Sequence, residues 1–229
     1  MKKVNFDEYA EDYDDILQGQ LNFFSENNLY FAKYKVELVK KFSKGSPGRI
    51  LEFGCGTGRN LQFLKDVFPG STIVGTDISQ QSVAIAKQQN PEAECFTLTD
   101  QRLMECEKFD LIFVAGVFHH IEPAERPKVF RQLNALLSDT GALFVFEHNP
   151  YNPVTRKMVR ECPFDTDAVL IPMPSMKKSL SEFGFGFFRS RYTLFVPPSL
   201  SVLKKIEHYI GWLPMGGQYF IQAKKCRAA

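Results

Sequence analysis

The stretch Arg49-Ile50-Leu51-Glu52-Phe53-Gly54-Cys55-Gly56-Thr57-Gly58-Arg59-Asn60 constrains the fold of this chain more than any other. It opens as a short apolar run, the pattern of a strand buried on both faces of a parallel sheet. Three glycines then fall within five residues, and a helical spacing of apolar positions follows at Leu61, Phe63, Leu64, Val67 and Phe68. A strand, a glycine turn and a helix start make a site for a polar cofactor. Glycine lets the backbone bend tightly and admits a ligand where a Cβ would block it. The unpaired amides of a first helical turn add donors and a positive dipole end.

Two details narrow the cofactor. A dinucleotide fingerprint reads G-x-G-x-x-G, whereas this turn reads G-x-G-x-G and has Arg59 where the third glycine would be. Glu52 precedes the turn, and an acid inside the end of a buried strand costs several kcal/mol unless it has partners. The stretch resembles motif I of the class I S-adenosylmethionine (SAM)-dependent methyltransferases, an acid followed by G-x-G-x-G. That resemblance implies that Glu52 lies near the cationic methionine end of SAM, that the turn of Gly54, Cys55 and Gly56 lies under the cofactor, and that Asn60 also binds it. A glycine turn in another nucleotide-binding sheet is the plainer alternative. Cys55 is expected to fill a tight turn rather than to react.

Further acids follow in order. Residues 71–77 read as a second strand ending in Asp77, at a spacing that lets it accept hydrogen bonds from both ribose hydroxyls of an adenosine. Asp77 therefore suits SAM and NAD alike, with Ile78 next to it and Ser79 as the cap of a helix. Residues 91–98 read as a third strand. The resemblance then assigns Asp100, with Gln101, to the adenine, although Asp100 equally suits a turn cap.

Residues 109–121 form a continuous apolar run that reads as a central strand ending in two histidines. This run resembles motif IV of the small-molecule methyltransferases that carry H-H-I. The resemblance implies that Ala115 lines the cofactor pocket and that the strand end faces the SAM methyl group. Imidazole near neutrality can take a proton from a hydroxyl as the methyl transfers. His120 is the preferred base, with His119 and His148 as the other candidates. The two adjacent rings are expected to point in different directions. Pocket lining, or bonds that hold the loop, is the alternative role.

A helix is expected over residues 123–138, a turn at 139–141 and a fifth strand over 142–147. Residues 148–156 leave the carboxyl edge of the sheet, where open α/β folds bind ligands. Tyr151, Asn152 and Arg156 are the expected acceptor contacts, Arg156 suiting a carboxylate or phosphate. A proline-rich connection whose polar groups satisfy one another competes with that reading. Residues 157–175 look like an inserted lid. A helix over 177–183, a sixth strand over 184–196 and an amphipathic helix over 199–210 follow. Residues 218–225 read as an edge strand with a charged end, which the family inserts antiparallel between strands five and six. At the other end, residues 6–14 resemble the methyltransferase cap, in which a tyrosine, here Tyr13, can close over SAM; a surface helix that uses Tyr9 and Tyr13 for packing is the alternative. Residues 29–43 read as a helix with Lys33, Lys35, Lys40 and Lys41 on a solvated face.

Composition limits the alternatives. A chain of 229 residues suits one large domain, divided as a helical cap (1–47), a SAM-binding core (48–148), a lid (149–183) and C-terminal strands with a helix (184–229). A formal charge of +2 without a basic block makes nucleic acid an unexpected partner. Five cysteines without C-x-x-C pairing fit a reducing cytoplasm and argue against a structural zinc site. No metal is expected at the site. No signal peptide and no bilayer-crossing stretch is visible, and a homodimer is compatible with the sequence. Phenylalanine is abundant, at 22 copies against one tryptophan, so the core should be aromatic.

The expected architecture is an α/β three-layer sandwich. Its mostly parallel seven-stranded sheet has order 3-2-1-4-5-7-6 with strand 7 antiparallel, a helical cap and an insertion after strand 5. The implied activity is methyl transfer from SAM to a small-molecule acceptor, foremost at oxygen and next at an amine. A SAM-binding protein without activity remains an alternative. The absent third glycine disfavours an NAD-dependent oxidoreductase.

Overall fold

The computed structural model describes residues 4–12, 16, 19, 29–99, 103, 107–196, 207 and 209–226. Its strands are β1 (Arg49–Phe53), β2 (Thr72–Asp77), β3 (Glu94–Thr97), β4 (Phe109–Ala115), β5 (Leu137–His148), β6 (Phe185–Thr193) and β7 (Gln218–Lys225). They form one sheet of order β3-β2-β1-β4-β5-β7-β6. The pairs from β3 through β5 are parallel, and β7 runs antiparallel to both β5 and β6. This is the expected order, with β1 and β4 at its centre.

Side-chain alternation divides the core into two layers. Ile50, Ile73, Leu111 and Phe113 face one way, onto Val36 and Val39 of α1 (Leu29–Phe42), Leu61 and Leu64 of α2 (Leu61–Val67) and Val83 and Ala86 of α3 (Gln80–Gln89). Leu51, Phe53, Ile112 and Val114 face the other way. They meet Phe130, Leu133 and Leu136 of α4 (Arg126–Leu136) and Met176 and Leu180 of α6 (Met173–Glu182). Helix α5 (Pro153–Glu161) lies in the insertion after β5. Phe113, Phe144, Phe146 and Phe220 are fully buried, each contributing roughly 1.5–3 kcal/mol. The aromatic core is as expected.

Several boundaries differ from the pattern reading. β4 stops at Ala115, because Gly116 takes φ +71° and the chain enters a 3-10 turn over Phe118–His120. β5 begins at Leu137, and the turn expected at 139–141 is an irregularity inside it. Phe109 pairs with Leu137, but Leu111 already pairs with Ala142. α4 starts at Arg126 and α6 at Met173, each with a proline in its first turn, where the missing N–H costs nothing. β7 is no edge strand: both sides are paired, and its centre is buried because it closes the sheet between β5 and β6. A 3-10 helix (Phe6–Tyr9) opens the cap. Tyr13, Asp100, Gln101 and most of the 199–210 segment lie outside the described residues. Among those described, no helix is long and apolar enough to cross a membrane.

Candidate functional site

The glycine turn is fixed from below. The amides of Gly54 and Cys55 both donate to the Thr76 carbonyl, at 2.7 and 2.8 Å, tying the end of β1 to the end of β2. Gly54 has φ +78°, and a Cβ there would stand 2.3 Å from Val117 Cγ2, so nothing larger fits. At Gly56, φ +52°, a Cβ would meet nothing within 4 Å. Gly56 lines a cavity of about 1470 Å3 that a side chain would begin to fill.

Glu52 is fully buried beneath this turn. Asn60 Nδ2 donates to its Oε1 at 2.6 Å, and Oε2 has no hydrogen-bond partner. Burial pushes the Glu52 carboxyl up to about 8, against the opposing pull of the Asn60 bond and the Lys35 charge. Lys35 extends from α1 into the same cavity. Burial, with the Arg59 charge, lowers its ammonium to about 8, and it makes no hydrogen bond or ion pair among the described residues. Asp77 accepts the Gly56 amide at 2.8 Å on one oxygen and the Ser79 amide at 2.9 Å on the other. Burial raises its pKa, and each oxygen keeps a lone pair. A buried, unpartnered carboxylate oxygen and a half-buried ammonium complement the ammonium and carboxylate of an amino acid. The Asp77 lone pairs suit a sugar diol. The chemistry of these residues fits SAM.

The histidines line the same cavity. Glu147, at the end of β5, is buried. Its Oε1 accepts the amides of Val117 and Phe118 at 3.1 and 2.7 Å, which fixes the 3-10 turn after β4. Its Oε2 lies 2.6 Å from His119 Nδ1. Burial alone would lower the His119 pKa, but the Glu147 and Asp165 carboxylates outweigh it and hold the imidazole up at about 9. Burial, then the His119 charge, lowers both His120 and His148 to about 4. The His119 ring centroid is 4.1 Å from that of His120 and 5.1 Å from that of His148.

An N-terminal strap touches both groups of residues. Asp7 accepts from Ser79 Oγ at 2.6 Å and from the Gln81 amide at 3.2 Å. The Val4 amide donates to Asp167 at 3.0 Å. The edge of the Phe6 ring meets the His120 ring at 4.9 Å. The strap thus joins the cofactor end to the insertion.

Of the residues singled out in the sequence, Gly54, Cys55, Gly56, Asn60, Asp77, Ile78, Ala115, His119, His120 and His148 all line the cavity, and Glu52 lies beneath the turn, bonded to Asn60. His119 and His120 do not diverge; their rings pack together. Tyr151 and Arg156 are exposed and outside the lining. Asn152 borders the cavity, but its amide is spent locally. It accepts from the Val154 and Thr155 amides as the cap of α5 and donates to the Met215 carbonyl at 2.6 Å. Asn149 donates to the carbonyls of Pro214 and Gly216, so the 148–156 connection is tied to the turn at 214–217. Sequence reasoning missed Glu147, Asp165 and Lys35. Glu147 bears the signature that revealed Glu52, an acid at the carboxyl end of an apolar strand. Lys35 is a correction, since the helix face read as solvated turns one lysine inward.

The family described as "Methyltransferase domain" matches residues 51–143. An uncharacterized methyltransferase of Bacillus cytotoxicus is 32% identical over 141 residues, 60% of this chain and 63% of that protein. One from Bacillus mycoides is 30% identical over the same shares. The match thus spans less than two thirds of the curated relatives' length. Two solved structures share the fold. A SAM-dependent methyltransferase from Archaeoglobus fulgidus has a TM-score of 0.68 at 16% identity, covering 90% of this chain and 97% of that one. A SAM-dependent methyltransferase and possible histamine N-methyltransferase from Thermotoga maritima has a TM-score of 0.69 at 19% identity, covering 96% and 97%. In its motif I turn, its strand order and this family match, the chain is similar to the class I, Rossmann-like SAM-dependent methyltransferases.

Proposed function

We propose that the protein transfers the methyl group of SAM to a small-molecule acceptor at an oxygen atom. One observation carries this reading: the cavity that begins at Gly54, Gly56 and Asp77 continues to His119, His120 and His148. At about 1470 Å3 it exceeds the ~300–1,000 Å3 typical of a single small-molecule ligand. The volume suits a cofactor and an acceptor held side by side. Strap and insertion residues line it as well, which favours a small acceptor over a macromolecule.

SAM, when bound, supplies an electrophilic methyl group on a sulfonium. The protein's own contribution is to bind, align and exclude water. Glu52, Lys35, Asn60 and Asp77 fix the cofactor end, and alignment of two bound reactants accounts for much of the rate such an enzyme needs. A hydroxyl acceptor must also lose its proton. His119 and His120 are engaged by carboxylates, whereas the His148 side chain makes no hydrogen bond among the described residues and lines the cavity. His148 is therefore the favoured proton acceptor, ahead of His120.

A panel of hydroxyl, phenol and amine acceptors, read by formation of S-adenosylhomocysteine (SAH), tests the proposal. Methylation of a hydroxyl or phenol is expected, with His148→Ala lowering kcat by about 10²–10⁴-fold and leaving SAH affinity unchanged. Turnover of amines alone, indifferent to His148→Ala, would contradict the assignment to oxygen.

A further inference from the structure

Two histidines and an aspartate converge in the wall of the cavity. His119 Nε2 lies 3.7 Å and His120 Nε2 lies 3.3 Å from the same atom, Asp165 Oδ1. One ligand atom from each of the three lies within 4.8 Å of the other two. Nitrogen and oxygen ligands at about 2.0–2.1 Å from a tetrahedral cation stand roughly 3.3–3.4 Å apart. The two contacts to Asp165 are thus close to ligand spacing, and mainly the imidazole–imidazole separation has to close.

A second observation concerns the far side of each ring. A histidine that binds a metal through one nitrogen almost always presents the N–H of the other to a carboxylate, carbonyl or water. His119 Nδ1 has Glu147 Oε2 at 2.6 Å. His120 Nδ1 has Asp167 Oδ1 at 3.7 Å, and both of those atoms are buried without a hydrogen-bond partner. A cation on His120 Nε2 leaves the ring proton on Nδ1, directed at that carboxylate, and so accounts for two orphaned atoms together. His119 therefore has the outer support of a metal ligand, and Asp167 stands where a small shift would give His120 the same. The support comes from different elements, Glu147 from β5 and Asp167 from the insertion.

We infer that His119, His120 and Asp165 form a binding site for a divalent first-row transition cation, with one coordination position open to the cavity. Two imidazoles and one carboxylate suit zinc, iron or cobalt rather than magnesium or calcium, which prefer all-oxygen sets. The cation displaces any proton from the coordinating nitrogens, as at other histidine sites. All three residues line the cavity, so the open position faces the space in which an acceptor oxygen or a water would sit. The same cation would pin the insertion, through Asp165, to the end of β4. This inference stands on the side-chain geometry and does not rest on the methyl-transfer reading.

The test uses the full chain, purified, stripped with a chelator and dialysed. Zn²⁺ is titrated by calorimetry and Co²⁺ by its visible absorption, with SAH titrated separately into the same protein. One ion per chain is expected. Asp165→Asn and His120→Gln should each abolish stoichiometric uptake, and Asp167→Asn should weaken it by about 10–100-fold. Cys226→Ser, which removes an exposed thiol, should leave it unchanged. Circular dichroism and SAH binding report whether each variant folds, and the wild-type titration decides the matter if one does not. Stripped wild type that takes up neither ion overturns the inference, as does an Asp165→Asn variant that binds as tightly as wild type. SAH binding without metal uptake refutes only the cation site; metal uptake without SAH binding refutes only the cofactor reading.

Discussion

Replacing Glu52 by glutamine should make the ligand-free protein more stable and its grip on the cofactor weaker. The substitution keeps the side-chain shape and the oxygen that accepts from Asn60, and removes a charge that is fully buried. The folded-state pKa is raised, to about 8 from 4.5, so the native protein retains a proton that the unfolded chain releases. Stability of the free protein must then fall as pH rises from about 4.5 to about 8. The slope is at most about 1.4 kcal/mol per pH unit, reaching about 3 kcal/mol by pH 7. The glutamine variant lacks that penalty, and its profile is flatter. For the cofactor the sign reverses: a hydrogen bond to a charged partner is worth about 1.5–3 kcal/mol, so SAH should bind about 10- to 150-fold more weakly. Wild-type affinity for SAH should tighten as pH climbs from about 6 towards about 8, because the ligand's ammonium favours the ionised carboxyl. 5′-Methylthioadenosine, which lacks the amino-acid half, should bind both proteins alike. Calorimetry with the two ligands, and thermal unfolding across pH, read all of this. Equal losses for both ligands, or a variant that melts earlier than wild type at pH 7, would refute the assignment of Glu52 to the amino-acid end.

Three other substitutions probe the remaining parts of the site. Asp77→Asn leaves one of the Gly56 and Ser79 amides facing an NH2 group; it should weaken SAH and 5′-methylthioadenosine equally and cost about 1–3 kcal/mol of stability, measured by calorimetry and denaturant unfolding. Gly56→Val puts a side chain into the cavity at φ +52°. It should abolish SAH binding while costing only about 1–2 kcal/mol of stability. Glu147→Gln breaks a buried pair with His119 and weakens the support of two backbone amides. A loss of about 3–5 kcal/mol is expected, which for a chain of this size lowers Tm by roughly 6–20 °C in a scanning calorimeter.

The cofactor end was legible in the sequence because its information is local. Glu52, the glycine turn and Asp77 each sit at the carboxyl end of an apolar strand, and strand ends share one edge in a parallel sheet. The histidine end was legible only in part. His119 and His120 stood out as polar residues after a buried strand, but their behaviour depends on Glu147 and Asp165, which arrive from a later strand and from the insertion. Glu147 could have been found by the rule that found Glu52. Asp165 lies among prolines with no periodic pattern, so nothing local distinguishes it from Asp167 or Glu161. Lys35 was misread because charge at helical spacing says which face is polar, not whether that face meets water or a cavity. The expected turn at 139–141 survives as an irregularity inside β5: β4 pairs with Leu137 and then with Ala142, and β7 pairs only from Ala142 onward.

The account rests on the turn at Gly54–Gly56 and the acid at Asp77 holding a sulfonium nucleoside rather than a dinucleotide. Equilibrium dialysis of the purified chain against labelled SAH, with NADH in a parallel cell, tests this most directly. One SAH retained per chain and no NADH is the predicted result; a chain that retains no SAH at millimolar concentration, or that retains NADH instead, contradicts it.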